Sequence, residues 1–152
     1  MSRFVSEQTI ARSAEEIWAY AADILRHPEW MAVTDARVLE GDGTRAGARG
    51  RERLRFGPFA WDTEFEVAEA VPSRRIVWRV VSGAPFDLEV TLDLDVIGPG
   101  STKATYGAEI RLRGRWRLLS PLVAMDAKDG PARELRRLKV QVEERSAMAP
   151  AT

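Results

Sequence analysis

A chain of 152 residues is long enough for one domain, and 45% apolar content is enough to give it a core. The 23 basic and 23 acidic residues cancel, so no net field draws the chain to nucleic acid, and a polyanionic partner is not expected. Without cysteine there is no disulfide, thiolate metal site or cysteine nucleophile, and the single histidine, His27, rules out centres built on several imidazoles; neither metal nor cofactor is expected.

The chain opens on a short apolar strand ending at Ile10. Ser13, followed three residues later by Glu16, has the spacing of a capping box and starts a helix. Ile17, Ala21 and Ile24 repeat at helical intervals with Trp18 beside them, and Pro28 ends the run, which gives helix, short second helix, loop. No apolar stretch near the N-terminus reads as a signal peptide and none reaches the roughly 20 residues of a membrane span, so a cytoplasmic protein is the expectation. Val33 to Glu40 reads as a strand of ambiguous facing, closed by Gly41-Asp42-Gly43.

The next segment is unambiguous. Arg49, Arg51, Arg53 and Arg55 alternate with Gly50, Glu52, Leu54 and Phe56, the period of a strand with two unlike faces. After Gly57-Pro58, Phe59, Trp61, Thr63, Phe65 and Val67 share one face while Asp62, Glu64 and Glu66 share the other. A two-residue loop pairing Phe56 with Phe59 sets Arg53 against Asp62, Arg51 against Glu64 and Arg49 against Glu66. That register fixes which face is wet.

Further turns at Pro72-Ser73, Gly83-Ala84-Pro85 and Gly98-Pro99-Gly100 divide three more strands. Their inward residues read as Ile76, Trp78 and Val80, then Phe86 through Val96 at every second position, then Thr102 through Leu112 likewise. Consecutive alternating strands joined by short turns make an antiparallel meander of about six or seven strands. The chain then turns helical, with Leu118, Leu122, Met125, Ala132, Leu135, Leu138 and Val142 along one stripe. Gly130-Pro131 interrupts it, which predicts a kink or a break with Asp129 capping the second piece. The expected organisation is one α+β domain over 1–146, a curved sheet wrapped around a long C-terminal helix, with residues 147–152 as a disordered tail.

The run Ile10-Ala-Arg-Ser-Ala-Glu-Glu-Ile-Trp18, Asp23, Pro28-Glu29-Trp30, the entry at Gly47, and the closing Leu135-Arg-Arg-Leu-Lys139 with Glu143 resemble the START-like or SRPBCC superfamily. That superfamily has the helix-grip fold and includes polyketide cyclase/dehydrase-like proteins, lipid-transfer domains and relatives of plant pollen allergens. The resemblance covers nearly the whole chain and implies a cavity between sheet and terminal helix that takes a lipid, polyketide or aromatic molecule. It carries no catalytic residue, because the superfamily shares no catalytic motif, and its ligands vary on a constant frame.

If the apolar face lines such a cavity, its aromatic members are Phe4, Phe59, Trp61, Phe65, Trp78, Phe86 and Tyr106, with Leu118, Leu122 and Met125 as a lid. The polar groups among them are Ser6, Gln8, Glu52, Thr63 and Tyr106. The same side chains also suit a filled core. Glu52 stands out as the one carboxylate on the apolar side of its hairpin, and paired with the Tyr106 phenol it suits acid/base chemistry on a polyketide-like ketone. A Glu52 that reaches water or meets an arginine is the structural alternative. His27, at a helix end, reads as a cap or surface residue before a catalyst, and Asp126 and Asp129 as capping or solvated before groups that point into the cavity mouth. The arginines at 111, 113, 115 and 117 read as exposed strand-edge charges or as a site for an anionic headgroup.

The function expected first is binding of a hydrophobic or amphipathic small molecule by a monomer or homodimer. A cofactor-independent cyclase or dehydratase using Glu52 and Tyr106, and a protein-interaction module acting through the outer charged face, are the alternatives.

Overall fold

Ser13 starts the first helix through its hydroxyl, which accepts from the Glu16 N–H at 3.2 Å, and α1 runs Ala14–Ala22. Asp23 then caps a 3₁₀ helix, Ile24–Glu29, by accepting from the Leu25 N–H at 3.1 Å, and Pro28 lies inside its last turn. The structure, a computed structural model, describes residues 2–148. Around these helices lie seven strands: β1 (Ser2–Ile10), β2 (Val33–Glu40), β3 (Arg49–Phe56), β4 (Phe59–Val71), β5 (Arg75–Ser82), β6 (Phe86–Gly98) and β7 (Ser101–Leu112). They form one antiparallel sheet in the order β1-β7-β6-β5-β4-β3-β2. β2 to β7 are a meander, and α1 with the 3₁₀ helix carries the chain from one edge of the sheet to the other.

The β3–β4 register is the one the charges specify, with Arg49, Arg51 and Arg53 opposite Glu66, Glu64 and Asp62. Arg51 reaches Glu64 at 3.0 Å and Arg53 reaches Asp62 at 3.5 Å, while Arg49 leans diagonally onto Glu64 at 3.1 Å. Glu66 is taken instead by Arg79 of the next strand, at 3.4 Å. β2 explains its own ambiguity: Asp35 sits at φ 52°, and the pairing with β3 shifts between Thr34 and Arg37, so strict alternation fails there. Gly50 has a different duty. A Cβ there would lie 2.5 Å from the Phe65 ring, so the glycine lets that ring lie across β3.

The C-terminal segment is split, not kinked. A 3₁₀ helix (Gly114–Leu119) leads into α2 (Ser120–Ala127), and after Lys128-Asp129 the long α3 runs Gly130–Met148. The Asp129 carbonyl accepts from the Arg133 N–H at 3.0 Å, so the new helix begins its ladder there. α3 packs on β1, β7 and α1, and Leu135, Leu138 and Val142 join Ile10, Ile17, Trp30 and Leu92 in the main core. The expected single stripe is corrected at its start: Leu118, Leu122 and Met125 are exposed, because the break sets the phase of α2 independently of α3. Val96 is also corrected, at 68% exposed, since the end of β6 runs past the layers into a bulge before Gly98. α3 continues through Met148, and residues 149–152 of the expected tail lie outside the described residues.

Candidate functional site

Between the sheet and the start of α3 lies a cavity of about 290 Å³. Its floor comes from the middle of the sheet, where Val80, Val90 and Ala108 are short enough to leave volume above Phe65 and Trp78. Its roof is Ala127 and the first turns of α3, including Pro131, Arg133, Glu134 and Arg137, and the Met31–Val33 approach to β2 closes one side. Two hydrogen-bonded pairs belong to this cavity, each joining different layers of the fold.

The first is Glu52 with His27. Glu52 Oε2 lies 3.0 Å from His27 Nδ1, and the imidazole is fully buried among Trp30, Phe65 and Trp78, with ring centroids 6.2, 5.8 and 5.4 Å away. Nδ1 is the ring nitrogen that meets Glu52, and Nε2 has no partner among the described residues. Opposite Glu52, the Thr63 hydroxyl donates to the Glu52 carbonyl at 3.1 Å, which ties the two strands at the cavity floor.

The second pair is Tyr106 with Glu134. The phenol on β7 donates to Glu134 Oε2 on α3 at 2.9 Å, and the Ala32 backbone N–H donates to the same carboxylate. Burial dominates this carboxyl and pushes it up from 4.5 to about 7; the bonds from Tyr106 and Ala32 and the charge of Arg137 pull down, and Glu52 pushes up. Burial likewise raises Tyr106 well above the ordinary phenol value, reinforced by the charges of Glu134 and then Glu52. Near neutral pH the pair therefore holds a neutral phenol beside a carboxyl poised between its two protonation states. The Glu52 charge acts on both, so the two pairs are within electrostatic reach of each other.

A model of the family described as polyketide cyclase / dehydrase and lipid transport matches residues 1–143. The chain belongs to that family. Solved structures share its fold. The protein TTHA0849 from Thermus thermophilus is 18% identical at a TM-score of 0.79, over 97% of this chain and 100% of that one. A START superfamily protein from Mycobacterium smegmatis is 18% identical at 0.78, over 93% and 97%. The Zhui aromatase/cyclase from Streptomyces sp. R1128 is 13% identical at 0.77, over 99% of both. No curated protein matches the sequence.

In this member of the polyketide cyclase / dehydrase and lipid transport family, Glu52, Thr63, Phe65, Trp78 and Tyr106 come together on the cavity as the alternation of β3 to β7 predicts. Trp61 and Phe86 do not line it. They stand 5.2 Å apart in a second cluster, where Trp61 also meets Phe59 and Trp116 at 5.7 Å each. Leu54, Phe56 and Leu88 border both the cavity and this cluster. Ser6 and Gln8 are half-buried on β1, outside the cavity, and Phe4 packs with the second cluster. Leu118, Leu122 and Met125 face away from the cavity. The side chain of Asp126 lies outside the described residues, and Asp129 is exposed.

Two residues of the site escape a reading of the sequence. The helix-end position of His27 predicts a surface residue, but the 3₁₀ helix that carries it lies against β2 and turns the ring inward. Glu134 gives a signal that is easy to pass over: it sits three residues after Pro131 and four before Leu138, on the inward side of α3, beside the more conspicuous Leu135.

Proposed function

We propose that the protein binds a compact amphipathic molecule, an apolar polyketide-like or aromatic body carrying a carbonyl or hydroxyl group, in the cavity between the sheet and α3, and acts as its carrier. The observation that supports this is the cavity itself: about 290 Å³, floored by Phe65, Trp78 and Val90, with Glu52, Tyr106 and Glu134 on its wall. That volume is at the small end of ligand pockets, which run from roughly 300 to 1,000 Å³, and so favours a ring system over a long acyl chain. A protonated Glu134 would donate to a ligand carbonyl and an ionised one would accept from a hydroxyl. Native mass spectrometry of protein purified from its own host tests the reading. A bound mass is expected in the wild type and not in folded Ala108→Leu, which fills the cavity floor. Equal retention by both would place the ligand elsewhere, and no bound mass, together with no thermal shift from an aromatic ketone series, would defeat the proposal.

A second reading, a cofactor-independent cyclase or dehydratase, draws support from the Tyr106–Glu134 pair, in which burial pushes the Glu134 carboxyl up to about 7 beside a phenol that donates to it. In a dehydration, Glu52 would take the proton from the carbon next to the carbonyl as the carbon–carbon double bond forms. Glu134 would protonate the departing hydroxyl, which leaves as water, and the Tyr106 O–H would polarise the carbonyl. Glu52→Gln separates the two readings: ligand affinity should persist in either case, and turnover should vanish only if the protein is an enzyme.

A further inference from the structure

The segment between β7 and α3 presents large apolar side chains to solvent. Leu118, Leu122 and Met125 are 84, 65 and 73% exposed, and their spacing of four and then three residues sets them along one side of the 3₁₀ helix and α2. Isolated exposed leucines are common on any protein, whereas an aligned group of this size marks a surface that something covers. The charges carried by residues 110–125 themselves have one sign. Arg111, Arg113, Arg115 and Arg117 are all exposed, and the sequence holds no acidic residue from Ile110 to Met125. Arg113 is held by Asp87 at 3.7 Å and by the Ala84 carbonyl. Arg115 lies one 3₁₀ turn before Leu118, so the two side chains project on the same side. Arg111 and Arg117 border a groove of about 350 Å³ beside Ser120 and Val123.

We propose that this surface docks on an anionic lipid bilayer, with Leu118, Leu122 and Met125 entering the acyl boundary and Arg115 and Arg117 meeting lipid phosphates. The combination is the one an interfacial helix needs: an apolar ridge of limited area, flanked by arginines whose forked donors match phosphate oxygens. Trp116, half-buried against Phe59 and Trp61, ties the segment to the second aromatic cluster and so gives the ridge a fixed support. A second copy of the chain fits less well, because a two-fold contact through this face would set arginines against arginines. The opposite, inward side of the same segment leads to the cavity. Val123 of α2 packs on the cluster that includes Leu54, Phe56 and Leu88, which line the cavity as well, and Ala127 ends α2 at the cavity roof.

The docking proposal does not depend on what occupies the cavity, and its test keeps the two apart. Flotation is run with vesicles of phosphatidylcholine alone and of phosphatidylcholine mixed with phosphatidylglycerol. The wild type should float with the mixed vesicles and not with the neutral ones, and rising salt should weaken it. Leu118→Ser/Leu122→Ser/Met125→Ser, and separately Arg115→Glu/Arg117→Glu, should each lower the bound fraction at least about tenfold with melting temperature unchanged. Any mass bound in the cavity should be retained by both variants. The proposal is overturned if the wild type ignores the anionic vesicles or if both variants float as it does. It is equally overturned if light scattering shows a wild-type dimer that the serine variant converts to monomer, since a second copy would then be the occupant.

Discussion

Leu138 and Glu134 lie one helical turn apart on α3 and meet opposite surroundings. Leu138 is fully buried with Leu135, Ile10, Ile17 and Trp30, where interior volume is filled by side chains of neighbouring elements. Glu134 faces a cavity, and its partners Tyr106 and Ala32 come from β7 and the loop before β2. Where the interior is filled, stability rests on contact with whatever apolar group is adjacent. Where it is open, each polar group depends on a few named partners, and a change of protonation costs little packing. The same helix therefore supplies both a filled part of the core and a chemically adjustable wall of the cavity.

Truncation gives the largest effect and tests the packed side. Leu138→Ala should lose about 2 to 5 kcal/mol in urea unfolding, the range for a large aliphatic residue removed from a filled core. Val90→Ala, on the cavity floor, deletes atoms that already face empty volume on one side, and its loss should fall below that range. Equal losses at the two positions would mean that the cavity is as well packed as the core, and the comparison would collapse.

The adjustable side shows itself in pH. Between about 4.5 and about 7 an unfolded Glu134 is ionised while the folded one keeps its proton, so the unfolded state binds fewer protons. Stability contributed at this site therefore falls as pH rises through that window and levels off above it. Glu134→Gln retains an acceptor for Tyr106 and lacks the titration. Its melting temperature should match the wild type below pH 4.5 and exceed it above pH 7, with a ceiling of about 3 kcal/mol on the difference. Subtracting the two profiles removes the contribution of every carboxylate that is not coupled to Glu134, which leaves Glu134 with its electrostatic neighbour Glu52. A flat difference would show that Glu134 titrates as an exposed carboxyl does.

The contrast between the two sides also marks how far the sequence is legible. The β3–β4 hairpin can be read to the residue because a slip of one position would set arginines against aromatics, so a single register satisfies both faces. Glu52 and Tyr106 follow from the same alternation, since strand period alone decides which face a residue shares. The C-terminal segment is different. Leu118, Leu122, Met125 and Leu135 obey one helical period on paper, yet the break at Lys128-Asp129 lets the two helices turn independently, and no local pattern encodes that rotation. His27 and Glu134 escape for a related reason: their partners are 25 and 28 residues away in sequence, and only the closed fold brings them together.

The smallest effect comes from the convex face and supplies the baseline. Arg51 lies 3.0 Å from Glu64 with its side chain 55% exposed, so water and salt screen the pair, and Arg51→Ala should change unfolding free energy by no more than about 1 kcal/mol. A double-mutant cycle with Glu64→Ala should return a coupling of roughly 0.2 to 1 kcal/mol that shrinks as salt is added. The hairpin should nevertheless keep its register in both single variants, because Thr63, Phe65 and Val67 remain on the buried face and a slip would expose all three. Specification and stabilisation then separate: the buried face penalises the wrong pairing, and the screened surface charges add little to the right one. A coupling well above 1 kcal/mol would instead place Arg51 and Glu64 with the buried pairs at the cavity, and the line between adjustable interior and screened exterior would have to be redrawn.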